Sequence, residues 1–383
     1  MLWVPDISQA DGPRYMAVAG AIVKAIDNGD LPPGTQLPPQ RDLAHKLGVT
    51  VGTIGRAYAI VKKRRLVTGE VGRGTFVGGE ETEHPNGRIT PEPTAHTLDL
   101  VCYRSPLQGL NEAVARGLVQ LGEGATLPPL HKYPPNAGYI THRTAGATWI
   151  SRYGLDVTPE QIVLTGGAQQ GIMVALCGLC SAGDTVMTEA LTFSGVRALA
   201  VMLGLKLQGI AMDAEGMIPA ALAAACEKSE SRVLYLQPTL HNPTAAMMPL
   251  ARRKRIAEIA RKYNLMIIED DAAASALRDR PPPLSALAPE RSCYITSISK
   301  SLGPAFRLGY VAAPASLQPR LANALHAMCL SVSPIVPELV AGMIADGTAE
   351  RIAQNNLREL RERHDIALPA PQPARHRIRA VAQ

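Results

Sequence analysis

Residues 161–170 are Gln161-Ile162-Val163-Leu164-Thr165-Gly166-Gly167-Ala168-Gln169-Gln170. A short apolar run followed by two glycines is typical of a buried strand and a tight turn. The apolar residues that follow have the composition of a buried helix. This order predicts an α/β domain with a mostly parallel sheet. The backbone N–H groups at such a helix start can bind an anion, although small residues there also serve as plain turns.

Three more strands of this kind follow, and helical stretches separate them. They are Thr185-Val186-Met187-Thr188, Val233-Leu234-Tyr235-Leu236 and Leu265-Met266-Ile267-Ile268-Glu269. Ligands of parallel sheets bind where strands end, so the polar segments there are candidates for a site. These are Gln237-Pro238-Thr239-Leu240-His241-Asn242-Pro243-Thr244, Asp270-Asp271 and Ser297-Ile298-Ser299-Lys300. Taken singly, each also fits a turn, a cation site or helix cap, or a surface lysine.

The composition excludes several classes of protein. With 383 residues the chain is long enough for two or three domains. No apolar run approaches the roughly 20 residues of a membrane span, and the first residues show no export signal, so we expect a cytoplasmic protein. Aromatic residues make up 4% of the chain, which argues against stacking surfaces for single-stranded nucleic acid.

The six cysteines do not indicate disulfides or a metal site. Cys177 and Cys180 have the spacing of a redox or zinc motif, but no second pair of ligands accompanies them. Because they lie within an apolar run, we interpret them as buried helix thiols. No metal is expected.

The amino-terminal residues follow a different pattern. Apolar residues at helical spacing predict a helix over 14–29, Pro39 to Leu47 form a short second helix that Gly48 ends, and Thr50 caps a third helix that runs to about residue 65. Two β-prone runs then flank the tip Gly72-Arg73-Gly74. Two helices joined by a tight turn and followed by a basic hairpin predict a winged helix-turn-helix.

The charge of this segment points to DNA. Between Arg41 and Arg73 there are eight bases and two acids, a local balance of 8 − 2 = +6. A charge run is usually only a solvated surface, but the predicted helices give this one a fold that enters the major groove. We expect phosphate contacts from Arg41, Lys62, Lys63 and Arg73, base contacts from Thr50, Thr53 and Arg56, and Gly74 at the tip of the wing.

The same residues carry a family resemblance. Gly34-Thr35-Gln36-Leu37-Pro38-Pro39-Gln40-Arg41-Asp42-Leu43-Ala44, then Leu47-Gly48-Val49-Thr50, Thr53, Ala57-Tyr58 and Gly72-Arg73-Gly74-Thr75-Phe76-Val77 resemble the DNA-binding domain of the GntR family. Members often have an arginine directly after the capping residue. This chain has Val51 and Gly52 there instead, so the resemblance does not predict the operator sequence.

The order of the carboxyl-terminal motifs carries a second resemblance. Gly-Ala-Gln-Gln, Asn-Pro-Thr, a strand ended by Asp-Asp, and Ser-Ile-Ser-Lys with Arg307 seven residues later resemble fold type I aminotransferases, which bind pyridoxal 5′-phosphate (PLP). Together with the amino-terminal match, the chain is similar to the MocR subfamily of GntR regulators over about residues 10 to 365. The resemblance implies α/β architecture with an amino-terminal winged helix and a mixed, mostly parallel sheet of the seven-stranded type.

The resemblance also implies a role for each site residue. Lys300 would be the catalytic residue that forms the Schiff base with PLP, and Asp270 would pair with the ring nitrogen. Asn242 would donate to the ring oxygen and Phe193 would stack on the ring. The phosphate would be held by Ala168, Gln169, Ser297 or Ser299, and Arg307. Tyr133 matches a tyrosine that reaches the phosphate from the partner subunit, which implies a homodimer.

Three departures from the family pattern bear on activity. Alanines follow Asp270-Asp271 where a tyrosine usually stands, and Phe193 replaces a common tyrosine. Members continue with a small domain that includes an arginine for the substrate carboxylate, whereas this chain changes composition after Asp365. We expect a truncated, frameshifted or naturally short member. Its expected domains are 1–78 (winged helix), 79–97 (linker), 98–365 (PLP-binding domain) and 366–383 (a disordered basic tail).

The motifs leave three hypotheses open. The first is a regulator that binds promoter DNA and senses PLP, or an amino acid or amine that reacts with it. The second is an aminotransferase with an accessory DNA-binding domain, and the third is a degenerate remnant. The basic winged helix and the departures favour the regulator, with weak or no transaminase activity.

Overall fold

The chain divides into two compact units, Met1–His84 and Pro85–Gln383. The computed structural model describes residues 3–7, 12–32, 34–64, 66–70, 74–77, 109–123, 127–273, 277 and 279–367. The division falls inside the predicted linker 79–97, whose residues lie outside the described ones.

The first unit consists of helices and a hairpin, as predicted. Its elements are α1 (Arg14–Asp27), α2 (Gln40–Leu47), α3 (Val51–Lys63), β1 (Val67–Glu70) and β2 (Gly74–Val77). Gly48 ends α2 in the left-handed conformation with φ +62°. Thr50 caps α3, because its Oγ1 accepts a hydrogen bond from the Thr53 N–H at 3.2 Å.

One hydrophobic core holds the first unit together. Each helix contributes the side chains of one face, among them Val18 and Ile22 of α1, Leu43 of α2, and Ile54 and Val61 of α3. The hairpin is tied to the segment before α2, since the Leu37 N–H donates to Thr75 O and the Val77 N–H donates to Thr35 O, each at 2.7 Å. The wing is therefore anchored at its base. Arg73, at its tip, lies outside the described residues.

The second unit is an α/β domain. Its helices are α4 (Leu110–Glu123), α5 (Ile140–Ser151), α6 (Ala168–Leu179), α7 (Ser194–Met202), α8 (Pro219–Cys226), α9 (Leu250–Lys262), α10 (Leu284–Leu287), α11 (Gln318–Cys329), α12 (Ile335–Ala345) and α13 (Thr348–Ala367). Its strands are β3 (Ile162–Thr165), β4 (Thr185–Glu189), β5 (Lys206–Ile210), β6 (Met212–Asp213), β7 (Gly216–Met217), β8 (Val233–Leu236), β9 (Met266–Asp270), β10 (Ser292–Ser297) and β11 (Gly309–Ala312).

Seven strands form the main sheet in the order β3-β11-β10-β9-β8-β4-β5. Neighbours are parallel except at β11, which pairs antiparallel with β3 and β10. The start of β11 therefore lies beside the ends of its neighbours, with Gly309 opposite both Thr165 and Ser297. The mixed, mostly parallel sheet predicted from the family resemblance is confirmed.

Helices cover both faces of this sheet. Alternate strand residues point to opposite sides, so Val163, Ile295 and Val311 pack against α6 and α11, whereas Leu164 and Tyr310 pack against α5 and α12. The last helix, α13, extends two residues beyond the predicted boundary at 365, and residues 368–383 lie outside the described ones. Within the described part of the chain, no helix has the length and apolar character needed to cross a membrane.

Candidate functional sites

The start of α6 and Arg307 form a cradle at the carboxyl edge of the sheet. The Arg307 Nη2 donates to Gly166 O at 3.0 Å. A Cβ atom added at Gly167, where φ is +97°, would lie 2.7 Å from that same Nη2. The guanidinium can approach this turn only because residue 167 has no side chain.

Further contacts fix the shape of the cradle. The Thr165 hydroxyl donates to Gly167 O at 3.1 Å, and the Gly166 N–H donates to Gln170 Oε1 at 2.5 Å. A Cβ at Gly309 would lie 2.8 Å from the Gly167 carbonyl carbon. The first N–H groups of a helix have no acceptor within the helix, and they carry its positive dipole end. A fixed turn, a helix start and an arginine therefore form a site for an anion such as phosphate.

A buried carboxylate ends β9. Asp270 is 2% exposed, and its Oδ2 accepts hydrogen bonds from the Tyr235 hydroxyl at 2.7 Å and from Gln237 Nε2 at 2.8 Å. Its Oδ1 accepts from the Ala272 N–H at 3.1 Å. Burial raises the pKa of Asp270, and these hydrogen bonds oppose that rise. A cation bound beside this carboxyl would favour its ionised form.

Gln237 connects Asp270 to two other segments of the site. Its side-chain Oε1 accepts from the Asn242 N–H at 3.2 Å, and its own N–H donates to Glu189 Oε2 at 3.1 Å. Glu189 is 1% exposed, and burial raises its pKa to about 8, to which the nearby Asp270 contributes. A single side chain thus positions the aspartate and the segment that carries Asn242.

His241 joins the Asn242 segment to the residues before α7. Its Nε2 lies 3.1 Å from Leu191 O, a carbonyl that only accepts, so this nitrogen donates. Its Nδ1 then accepts from the Thr244 hydroxyl at 2.8 Å. Burial lowers the pKa of His241, which favours this neutral form.

The predicted ring and phosphate residues meet at α7 and α6. Phe193 is partly buried directly before α7, and Gln169 Nε2 donates to Gly195 O at 3.1 Å. A Cβ at Gly195 would overlap both side chains, at 2.2 Å from Phe193 Cε1 and 2.3 Å from Gln169 Oε1. The Gln169 side chain therefore ties α6 to α7, and Ala168 opens α6 beside it.

Three more of the predicted residues lie at the same edge. Ser297 is buried at the end of β10, and Ser299 and Lys300 are partly buried in the turn that follows. This strand lies between β9, which ends at Asp270, and β11, which Arg307 precedes. Asn242 is exposed, and Tyr133 is 80% exposed in the single chain.

PLP carries an aldehyde, a basic ring nitrogen and a phosphate. The sheet edge offers a lysine amine, a buried carboxylate and the cradle at Gly167, so the residues present fit this group. Sequence reasoning missed Tyr235, Gln237 and Glu189. Parallel pairing of β8 with β9 could have indicated Tyr235 and Gln237, because Leu236 lies opposite Glu269.

The second carboxylate of the Asp-Asp pair has a structural partner. Asp271 is fully buried, and its Oδ2 lies 2.6 Å from Arg280 Nη2 and also accepts from the Tyr294 hydroxyl. Neither the cation site nor the helix cap considered for this pair applies to Asp271. Its charge instead anchors the segment that follows β9, directly beside Asp270.

The winged helix presents its predicted DNA contacts at the surface, with one qualification. Arg41, Arg56, Lys62 and Lys63 are exposed. The Thr50 and Thr53 hydroxyls lie 2.9 Å apart, so one of them donates a hydrogen bond to the other. Gly74 is exposed with φ +123°, and a Cβ there would lie 2.6 Å from Gln36 Nε2.

The two cysteines are less buried than the sequence analysis predicts. Cys177 lies in α6 and Cys180 directly follows it, but both are partly exposed, because the buried face of α6 is formed by other residues, among them Ile172 and Leu176. Burial raises the pKa of both thiols. Across the described ranges, no three His, Cys, Asp or Glu side chains are grouped as a metal site would require.

Two family models match the chain. The model described as "Aminotransferase class I and II" matches residues 110–366, and "Bacterial regulatory proteins, gntR family" matches residues 14–77. The matches correspond to the α/β unit and the winged helix.

Individual proteins show the same combination. The chain is 32% identical to the Uncharacterized HTH-type transcriptional regulator YdeF of Bacillus subtilis (strain 168), over 96% of this chain and 79% of that protein. It is 28% identical to the HTH-type pyridoxine biosynthesis transcriptional regulator PdxR of Corynebacterium glutamicum, over 90% of this chain and 76% of that protein.

Among solved structures, it is similar to LysN, an alpha-aminoadipate aminotransferase from Thermus thermophilus complexed with N-(5'-phosphopyridoxyl)-L-leucine. The TM-score is 0.62 with 27% identity, and the match covers 70% of this chain and 69% of that chain. The predicted fold type I architecture is thereby confirmed.

Proposed function

This chain belongs to the aminotransferase class I and II family and, with its gntR-type domain, to the MocR-type transcriptional regulators; on that premise we propose that it binds PLP and regulates promoter DNA as a homodimer. It is a DNA-binding regulator by family. The proposal concerns its ligand, its assembly and its response to the ligand or to an amino compound that reacts with it.

The cradle at Gly167 is the observation that carries the PLP proposal. A glycine with φ +97° admits an arginine to a helix start, and this arrangement of a helix N-terminus beside a guanidinium suits a phosphate. PLP, when bound, supplies an aldehyde that captures amines and a ring that withdraws electrons. Lys300 would attach it, and Arg307 with the Ala168 and Gln169 N–H groups would hold its phosphate.

The other residues would orient the ring. Asp270 would face the ring nitrogen, and the hydrogen bonds from Tyr235 and Gln237 favour the ionised carboxylate that a protonated nitrogen needs. Asn242 would donate to the ring oxygen and Phe193 would lie against the ring face. Ser297 or Ser299 would complete the phosphate site.

The surface around Tyr133 supports the homodimer. Tyr133 is 80% exposed, and the large apolar side chains near it in sequence, Leu127, Leu130 and Ile140, are 40%, 60% and 48% exposed. An exposed apolar segment of this kind suits a partner of the same chain. Sedimentation equilibrium measures the assembly, and a monomer at micromolar concentration would contradict it.

Absorbance spectroscopy tests the cofactor. Reconstitution with PLP should give a visible band that borohydride removes, and Lys300→Ala should lack the band while remaining folded. Lys206→Ala is the matched control, because Lys206 is exposed at the start of β5. A colourless wild-type protein would favour the degenerate remnant, and a band that persists in Lys300→Ala would assign the attachment to another lysine.

DNA binding is tested with duplexes selected from a random pool by the full chain. We expect a selected sequence whose affinity changes when PLP is present. Robust steady-state transamination, together with no sequence preference on DNA, would favour the aminotransferase hypothesis instead.

A further inference from the structure

The outward face of α3 alternates small and basic side chains. Ile54, Ala57, Tyr58 and Val61 are buried against the other helices. On the opposite face Gly52, Arg56, Ala59 and Lys63 succeed one another at spacings of four, three and four residues, and all are exposed. With the bases and few acids around it, this face has the charge that suits a DNA groove.

Gly52 is not required by the fold. It lies in the first turn of α3 without a positive φ, and the only atom within 4 Å of an added Cβ is Thr50 Oγ1 at 3.9 Å. Glycine is among the least favourable residues within a helix. Open space around a glycine does not by itself indicate a function, since a Cβ added at Gly20 in α1 would meet nothing within 4 Å. The difference is that Gly52 lies on the face that enters the groove.

Most polar side chains at the start of α3 already make a hydrogen bond within the protein. The Thr50 and Thr53 hydroxyls bond to each other, and the Tyr58 hydroxyl donates to Pro38 O at 2.7 Å. Within the described part of the first unit, Arg56 is the polar side chain of the first two turns without such a bond. Beside it stands Val51, an apolar side chain that is 45% exposed at the first helical position.

We propose that the first turn of α3 recognises thymine through its methyl group, with Val51 as the contacting side chain and Gly52 allowing the helix to come close to the bases. The methyl group is the apolar feature that thymine presents in the major groove. Val51 offers an exposed apolar surface there, beside two hydroxyls that already bond to each other. The inference rests on the proposed DNA binding and adds the base that it selects.

The test removes the methyl group from the DNA rather than changing the protein. The probe is the duplex that the full chain selects from a random pool, with deoxyuridine replacing thymidine at one position at a time. We expect about a fourfold loss of affinity at one or two positions of each half-site, the change expected for one buried methyl group. Val51→Ala should bind the thymine and uracil duplexes within twofold of each other.

Matched variants separate recognition from folding. Gly52→Ala should weaken binding to the selected duplex at least tenfold without lowering the unfolding temperature, whereas Gly20→Ala should leave binding unchanged. Met16→Ala, which removes another exposed apolar side chain on α1, should keep the full uracil effect. If no uracil substitution matters, or if it matters equally in Val51→Ala, the inference is wrong. Failure to select any sequence would instead overturn the proposed DNA binding.

Discussion

Two glycines with nearly equal φ angles allow the phosphate cradle to be tested. Gly167 has φ +97° and would bring a Cβ within 2.7 Å of Arg307 Nη2, whereas Gly183 has φ +94° and would meet nothing within 4 Å. Gly167→Ala should therefore lower PLP affinity by roughly 10- to 100-fold, the range for loss of a charged hydrogen bond. Gly183→Ala also places a side chain at a positive φ, but away from the cradle, and should keep wild-type affinity. Fluorescence titration measures both, and equal losses would assign the effect to strain alone.

Glu189 makes the stability of the α/β unit dependent on pH. Its folded pKa is about 8, above the ordinary value of about 4.3, so between these values the folded chain holds a proton that the unfolded chain releases. Stability therefore falls as pH rises through this range. Glu189→Gln cannot titrate and should gain stability relative to wild type, on the order of 3 kcal/mol between pH 5 and pH 8. Urea denaturation at both values measures the change.

The control for this titration is Glu230→Gln, which changes an exposed carboxyl at the opposite end of the strands. It should show the same pH dependence as wild type. An unchanged pH dependence in Glu189→Gln would mean that Glu189 is ionised in the folded protein at pH 7.

The residues that the sequence could not assign are those whose role depends on a neighbour distant in the chain. Lys300, Asp270 and Arg307 carry recognisable motifs, and the structure gathers their elements at one edge. The sequence around Gln237, however, indicates only a Pro-rich turn. Its hydrogen bond to Asp270 depends on the pairing of β8 with β9. Arg280 likewise gives no sequence signal, because its ion pair with Asp271 depends on the tertiary fold.

At the scale of the element, local rules were sufficient for helix and strand ends. Gly48 and Thr50 act through their own backbone and neighbours, which explains why the boundaries of α2 and α3 followed from sequence. The position of β11 could not be predicted from the sequence, because its antiparallel insertion between β3 and β10 depends on long-range pairing. That insertion is what brings Arg307 to the ends of the parallel strands.

Substitutions at Thr50 test whether its hydroxyl stabilises the start of α3, apart from any contact with DNA. Thr50→Ala removes the side-chain acceptor of the Thr53 N–H, which also donates to the backbone Thr50 O at 3.0 Å, and should destabilise the winged helix by about 1 kcal/mol. Thr50→Ser keeps the oxygen and should retain most of that stability. Urea denaturation measures both variants. If Thr50→Ala is as stable as wild type, the hydroxyl does not cap α3 in solution.

At the scale of the whole molecule, the chain joins two units, and each carries one of the two proposed sites. If PLP changes the affinity for the selected duplex by some factor, the duplex must change the affinity for PLP by the same factor. Couplings of this kind are typically about 5- to 150-fold. We expect a factor in that range when DNA affinity is measured with and without PLP, and the same factor when PLP affinity is measured with and without DNA. Lys300→Ala should reduce both factors together, because it changes only the proposed PLP site of the second unit. A factor of one in both directions would show that PLP binds as a structural group and that the regulatory ligand is another compound.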